Sequence, residues 1–193
     1  MKILFDVIGK ETSMWVFGYG SLMWDSWETK FQGTNQGKAR LKGYHRSFNK
    51  KSTSNWGTSD APCPTLGLER SSEAECVGLV FEFNDNQRKS IEAKLKKREG
   101  KSFQLVEIEV ELESGQKVMA LTSINQPKMI TYINNTDLNE MIDMAKKTSG
   151  NKGSCLEYIQ NIYMKCKELG IQDENVQKMW ELINSVVPTS EEA

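Results

Sequence analysis

Strand-type patterning, interrupted by one helix, runs from the early residues to about residue 124, and helix punctuation takes over from residue 137. That order admits few folds, because strands must first build a sheet that the late helices then cover. Met14 to Tyr19 is aromatic and β-branched and stops at a glycine pair, as a buried strand entering a tight turn does. Residues 51–65, rich in Ser, Thr, Asn, Gly and Pro, predict a long ordered loop. Thr65 to Glu69 and Cys76 to Phe83 read as two strands with a turn at Ser71-Ser72-Glu73. Asn84 opens a charged helix whose apolar stripe runs through Ile91 and Leu95 and which Gly100 stops, leaving Glu99 in its last turn. The strict alternation from Glu107 to Glu113 is a strand with one wet face, so its glutamates form a solvated edge. Ser114-Gly115 then turns the chain into a hairpin partner from Lys117 to Ile124. Asp137 with Glu140 and Ser154 with Glu157 mark two helix starts, and Gly150 and Gly170 mark their stops. A last helix from about Asp173 to Val187 ends before Pro188. The class is α+β on a mainly β core.

The length, 193 residues, fits one domain with an N-terminal extension at 1–13 and a mobile tail at 188–193. Lysine and arginine number 25 against 26 aspartates and glutamates, so no electrostatic field would gather nucleic acid or an anionic membrane. A small neutral or zwitterionic ligand fits better. The apolar runs fall far short of the ~20 residues needed to span a bilayer, and Met1 to Ile8 carries too little for a secretory signal. Cys63, Cys76, Cys155 and Cys166 show no metal-type or redox-type spacing, so reduced thiols in the cytoplasm are expected. His45 is the single histidine, which leaves acid/base chemistry to a carboxylate. No metal and no cofactor is expected.

Two stretches are candidates for chemistry. Gly18-Tyr19-Gly20-Ser21-Leu22-Met23 comes directly after the aromatic strand, and glycines there let the backbone approach a ligand and turn successive N–H groups into an anion-binding nest. A dinucleotide fingerprint would want glycine where Met23 stands. The second stretch is Lys97 to Phe103, in which Arg98-Glu99 alone would be an ordinary solvated helix end.

Taken together, these residues resemble the ChaC-type glutathione-specific γ-glutamylcyclotransferases. Trp15 to Trp24 looks like the family's opening signature. Gly43 to Phe48, Leu66 to Glu69, Cys76 to Phe81, Arg98-Glu99 and Leu156 to Ile159 come after it in the expected order. The resemblance implies a small mixed β-barrel flanked by helices. It also implies that Gly18, Tyr19, Gly20, Ser21, Leu22 and Met23 hold a γ-glutamyl head, that Glu99 accepts the proton, and that Tyr158 faces the substrate. Glu157 is more simply the capping partner of Ser154. The implied reaction closes the γ-glutamyl group of glutathione to 5-oxoproline and expels Cys-Gly. Action on other γ-glutamyl amino acids or γ-glutamylamines, or a catalytically silent binding module on the same fold, are the alternatives. Many relatives carry Gly-Gly-Tyr where this chain has Lys101-Ser102-Phe103. The missing hydroxyl bears on substrate range or rate more than on reaction class.

Overall fold

A computed structural model of the chain describes residues 13–100, 102–134 and 137–186. Of the expected extension only Ser13 falls among them, and the expected tail lies outside the described residues. The strands are β1 (Ser13–Gly18), β2 (Thr34–Ser52), β3 (Cys63–Asn84), β4 (Phe103–Leu112) and β5 (Lys117–Asn125). They close into a barrel in the order β1-β3-β2-β4-β5. Closure is made by β1, which pairs antiparallel with β3 and parallel with β5 through Trp15↔Ala120 and Val16↔Leu121. The barrel is therefore mixed, as the resemblance implies, and each of its five strands pairs with two neighbours. With neighbours on both sides, the aromatic strand is buried: Val16 and Phe17 are fully shielded from solvent.

The β4 alternation behaves as its pattern predicts. Val110 points into the core, while Glu107, Glu109 and Glu111 meet Arg88, Lys117 and Lys42 at 2.6, 2.8 and 3.1 Å outside it. Such exposed pairs add little stability. His45 stands on the barrel exterior, its Nε2 4.0 Å from Glu69.

Helix α1 (Arg88–Glu99) enters through a short helical turn capped by Asn84, whose side chain accepts from the Asn86 N–H, and it docks Ile91 and Leu95 into the core. Helices α2 (Leu138–Lys147), α3 (Cys155–Glu168) and α4 (Glu174–Val186) come after the barrel. Asp137 caps α2, and Ser154 with Glu157 forms a complete capping box on α3. Tyr163 and Trp180 stack at 4.9 Å to hold α3 against α4.

Three expectations need correction. The Ser71-Ser72-Glu73 turn does not divide two strands. Cys63–Asn84 is one long strand paired with β2, in which Lys42 to Tyr44 faces the longer stretch from Glu75 back to Arg70, so the polar residues form a bulge. Helix α2 stops at Lys147, and Gly150 instead pairs with Gly153 in a two-residue ladder. The cysteines are not all reduced: Cys63 and Cys155 form a disulfide. Their separation of 92 residues hides the pair from spacing arguments. The fold brings the start of β3 to the start of α3, 5.5 Å between Cα atoms. Cys76 and Cys166 are free and buried.

Candidate active site

The polypeptide leaves β1 at Gly18 and bends through Tyr19-Gly20 into a 3₁₀ turn, Ser21–Met23, closed by the Met23 N–H on the Gly20 carbonyl at 2.9 Å. Glycine is required at position 18 because a Cβ there would lie 2.8 Å from that of Leu22. Gly20 has an ordinary φ of −125°, and a Cβ would come 3.6 Å from the Tyr158 hydroxyl, so what glycine provides there is open space. The opening N–H groups of a helical turn have no partner within it, which leaves those of Ser21 and Leu22 available where both residues line a cavity. Arg46 holds the turn from behind. Its buried guanidinium donates to the carbonyls of Tyr19 at 2.7 Å and Val77 at 2.5 Å and pairs with Asp173 at 2.9 Å. The Tyr19 hydroxyl donates to the Ser123 carbonyl at 2.8 Å.

Glu99 is the last residue of α1, which Gly100 ends at a φ of +76°, a conformation other residues rarely adopt. Its side chain is 18 % exposed and its carboxylate lies 3.6 Å from Arg98 Nε. Burial pushes the carboxyl above the usual carboxylate range, while Arg98, then Lys50 and Lys152, oppose that rise. Arg98 also donates to Ser21 Oγ at 2.6 Å and pairs with Asp25, so it ties the end of α1 to the glycine turn. Lys50 donates to the main-chain carbonyl of Glu99 at 2.7 Å and sits 3.9 Å from the centre of the Phe103 ring. Burial lowers this lysine to about 8 even with Glu99 opposing. From α3, Tyr158 accepts the Leu66 N–H at 3.0 Å and leans on Trp24 and Trp56. Burial raises its phenol, which stays protonated and keeps its own hydrogen to donate.

One cavity thus gathers Tyr19, Gly20, Ser21, Leu22, Glu99 and Tyr158. Gly18 and Met23 do not line it: Gly18 packs against Leu22, and the Met23 sulfur faces Arg46. Residues that the sequence reading did not single out complete it, among them Lys50, Asn55, Trp56 and Ser123. Trp56 carried a signal, since a tryptophan within a Ser/Asn/Gly loop is out of place unless it is buried. Lys50 carried none, being one of two adjacent lysines on a strand. Chemically, a carboxyl held towards its protonated form beside the opening N–H groups of a helical turn suits moving a proton to and from a bound group whose charge changes.

The family model described as ChaC-like protein matches residues 14–186. The chain belongs to the ChaC-like family. Among ChaC-like and related sequences, it is 26 % identical over 190 residues to gamma-glutamylcyclotransferase 2-3 of Arabidopsis thaliana, covering 93 % of each chain. It is 25 % identical to the glutathione-specific gamma-glutamylcyclotransferase of Escherichia coli K12, over 88 % of this chain and 72 % of that one. The crystal structure of a yeast γ-glutamyl cyclotransferase specific to glutathione superposes with a TM-score of 0.80 at 18 % identity, covering 90 % of this ChaC-like chain and 96 % of its own. At that identity the superposition speaks for the fold.

Proposed function

We propose that this ChaC-like protein is a γ-glutamylcyclotransferase that converts glutathione to 5-oxoproline and Cys-Gly, with residues 1–193 acting as one domain. The observation that carries the reading is the convergence of a partly desolvated carboxyl, Glu99, and a glycine turn with spare N–H groups on one cavity. The substrate's α-ammonium gives a proton to Glu99, and the freed amine attacks the γ-carbonyl carbon of the same residue. A new N–C bond closes the five-membered ring, and Glu99 passes its proton to the cysteine nitrogen as that C–N bond breaks. The ring nitrogen sheds a second proton by the same carboxyl to the departing amine, which leaves a neutral lactam and a Cys-Gly ammonium. Nucleophile and electrophile share one molecule, so the protein's work is to fix the bent conformer and shuttle protons between the two nitrogens. The N–H groups of Ser21 and Leu22 hold the developing oxyanion or the α-carboxylate, and the Tyr158 hydroxyl, 3.6 Å from the space beside Gly20, donates to the head.

Among the described residues, no helix is long and apolar enough to cross a membrane. We assign the reaction to the cytoplasm, where glutathione keeps thiols reduced. The Cys63–Cys155 bond is compatible with that setting because both residues are fully buried and shielded from a soluble thiol. The test is incubation with glutathione, γ-glutamyl-alanine and a γ-glutamyl-lysine isopeptide in parallel, with 5-oxoproline measured in each. Release chiefly from glutathione is expected; no release from any of the three would refute the proposal.

A further inference from the structure

Beside the cavity runs a groove of about 200 Å³ between residues 50–55 and the end of α1. The two spaces are continuous, since Lys50, Ser52, Asn55, Arg98 and Glu99 line both. A ligand whose γ-glutamyl head lies on the glycine turn, with its scissile amide at Glu99, must send its leaving half somewhere, and this groove begins at that carboxyl. Its charge is one-sided. Lys50, Lys51, Lys97 and Arg98 border it, and Glu99 is the sole carboxylate among the residues lining it. Arg98 is already engaged by Asp25 and Ser21. Lys97 lies in solvent, where a charge pairs weakly. Lys51 borders the groove alone, whereas Lys50 lines both the groove and the cavity, which singles out Lys50.

Among the described residues, the Lys50 ammonium has one hydrogen bond, to the main-chain carbonyl of Glu99, and an aromatic face beneath it. Two of its three N–H donors remain. Among the described residues no ion pair within 4.0 Å joins it to the Glu99 carboxylate, although each charge still favours the other. A buried cation with unspent donors is costly unless an anion completes its shell. Burial lowers Lys50 to about 8, with the Glu99 charge opposing that fall.

We propose that this groove is a leaving-group subsite in which Lys50 reads the terminal carboxylate of the departing dipeptide, so that the preferred substrates are γ-glutamyl peptides ending in a free carboxylate. The inference rests on the cyclotransferase reading and deepens it. Phe103 shares in it, since its ring forms the floor under the ammonium.

The experiment compares glutathione with its glycine C-terminal amide, which keeps the same head and scissile bond, by 5-oxoproline release. In the wild type, kcat/KM for glutathione is expected to exceed that for the amide by about 10- to 100-fold, the range of one charged hydrogen bond. In Lys50→Met that ratio falls towards one, chiefly through a higher KM for glutathione, and Lys50→Arg restores most of it. A wild-type ratio near one overturns the inference without any variant. A ratio that survives in Lys50→Met and in the polar variant Lys50→Gln overturns it too, as does an equal loss on both substrates, which would put the lysine on the γ-glutamyl head. All of these leave the cyclotransferase reading standing. Absence of 5-oxoproline from both substrates with wild-type protein would instead overturn that reading and this one together.

Discussion

Glu99→Gln separates proton transfer from shape, because the amide fills the same volume at the end of α1 and only the exchangeable acid is lost. As base towards the ammonium and then acid towards the leaving amine, one carboxyl serves each transfer, and among the described residues no second carboxylate lines the cavity to replace it. A positioned acid/base group contributes about 10²–10⁴ in rate, which corresponds to about 2.7–5.4 kcal/mol of barrier. The expected kcat on glutathione therefore falls by that factor, while KM changes little because the head remains on the glycine turn. Stability should move the other way. Burial raises the Glu99 pKa in the folded state, so the stability it contributes is complete below the unfolded value and is lost as pH rises through the folded one. At pH 7–8 the wild type carries that loss and the neutral amide does not, so the variant's Tm should equal or exceed the wild type's. The assay is 5-oxoproline release at saturating glutathione, paired with thermal melts at pH 5 and pH 8. A kcat within tenfold of wild type with an intact melt would refute Glu99 as the proton carrier. A lower Tm at pH 8 would mean that its charge serves chiefly as a structural partner of Arg98.

Arg98→Met removes the strongest influence holding the Glu99 carboxyl down, so that pKa rises further and the acid limb of kcat/KM against pH moves to higher pH; an unmoved limb would refute the coupling. Tyr158→Phe leaves the Leu66 N–H without its acceptor, but both residues line the open cavity and water can enter. The cost should therefore stay near ~1 kcal/mol, roughly 2–4 °C in Tm for a chain of this size, while kcat/KM falls more steeply; a melt lowered by tens of degrees with kcat/KM retained would reverse those roles. Lys50 is cationic only below about 8, so the preference for glutathione over its C-terminal amide should fade as pH rises through that value. Taking the ratio cancels the titration of the substrate amine, and a ratio flat from pH 7 to pH 9 would contradict it.

Periodicity and capping residues made most of the architecture legible. The alternation at Glu107 to Glu113, the stripe of Ile91 and Leu95, and the Ser154–Glu157 box are local patterns whose meaning does not depend on the rest of the chain, and each stands where its pattern predicts. The continuous β3 was not legible, because serines and a glutamate in a bulge have the same composition as a hairpin turn, and only pairing with β2 distinguishes them. Barrel closure through β1 and β5, and the Cys63–Cys155 bond, join residues about a hundred positions apart, where spacing holds no information. The site was half legible. The glycine turn, Glu99 and Tyr158 stood out through resemblance. Lys50 and Arg98 join the site through what surrounds them, and a lysine on a strand looks the same in sequence whether it faces water or a carboxyl.

The cavity's parts come from the ends of elements rather than their middles: the turn after β1, the last residue of α1, the end of β2 and the first turns of α3. Ends have spare backbone donors and free directions, which suits binding, but they fray unless tied. Two arginines make the ties. Arg98 fastens the end of α1 to the turn through Ser21 and Asp25, and it also restrains the pKa of the carboxyl beside it, so position and proton affinity at Glu99 depend on one guanidinium. Arg46 fastens the other side of the same turn through the Tyr19 carbonyl and carries the connection to Asp173, whose carboxylate also accepts the Val176 N–H at the start of α4. Removing one member of a buried charged pair typically costs about 3–5 kcal/mol. Helix α4, from which no described residue lines the cavity, therefore takes part in holding the glycine turn where Glu99 can serve it.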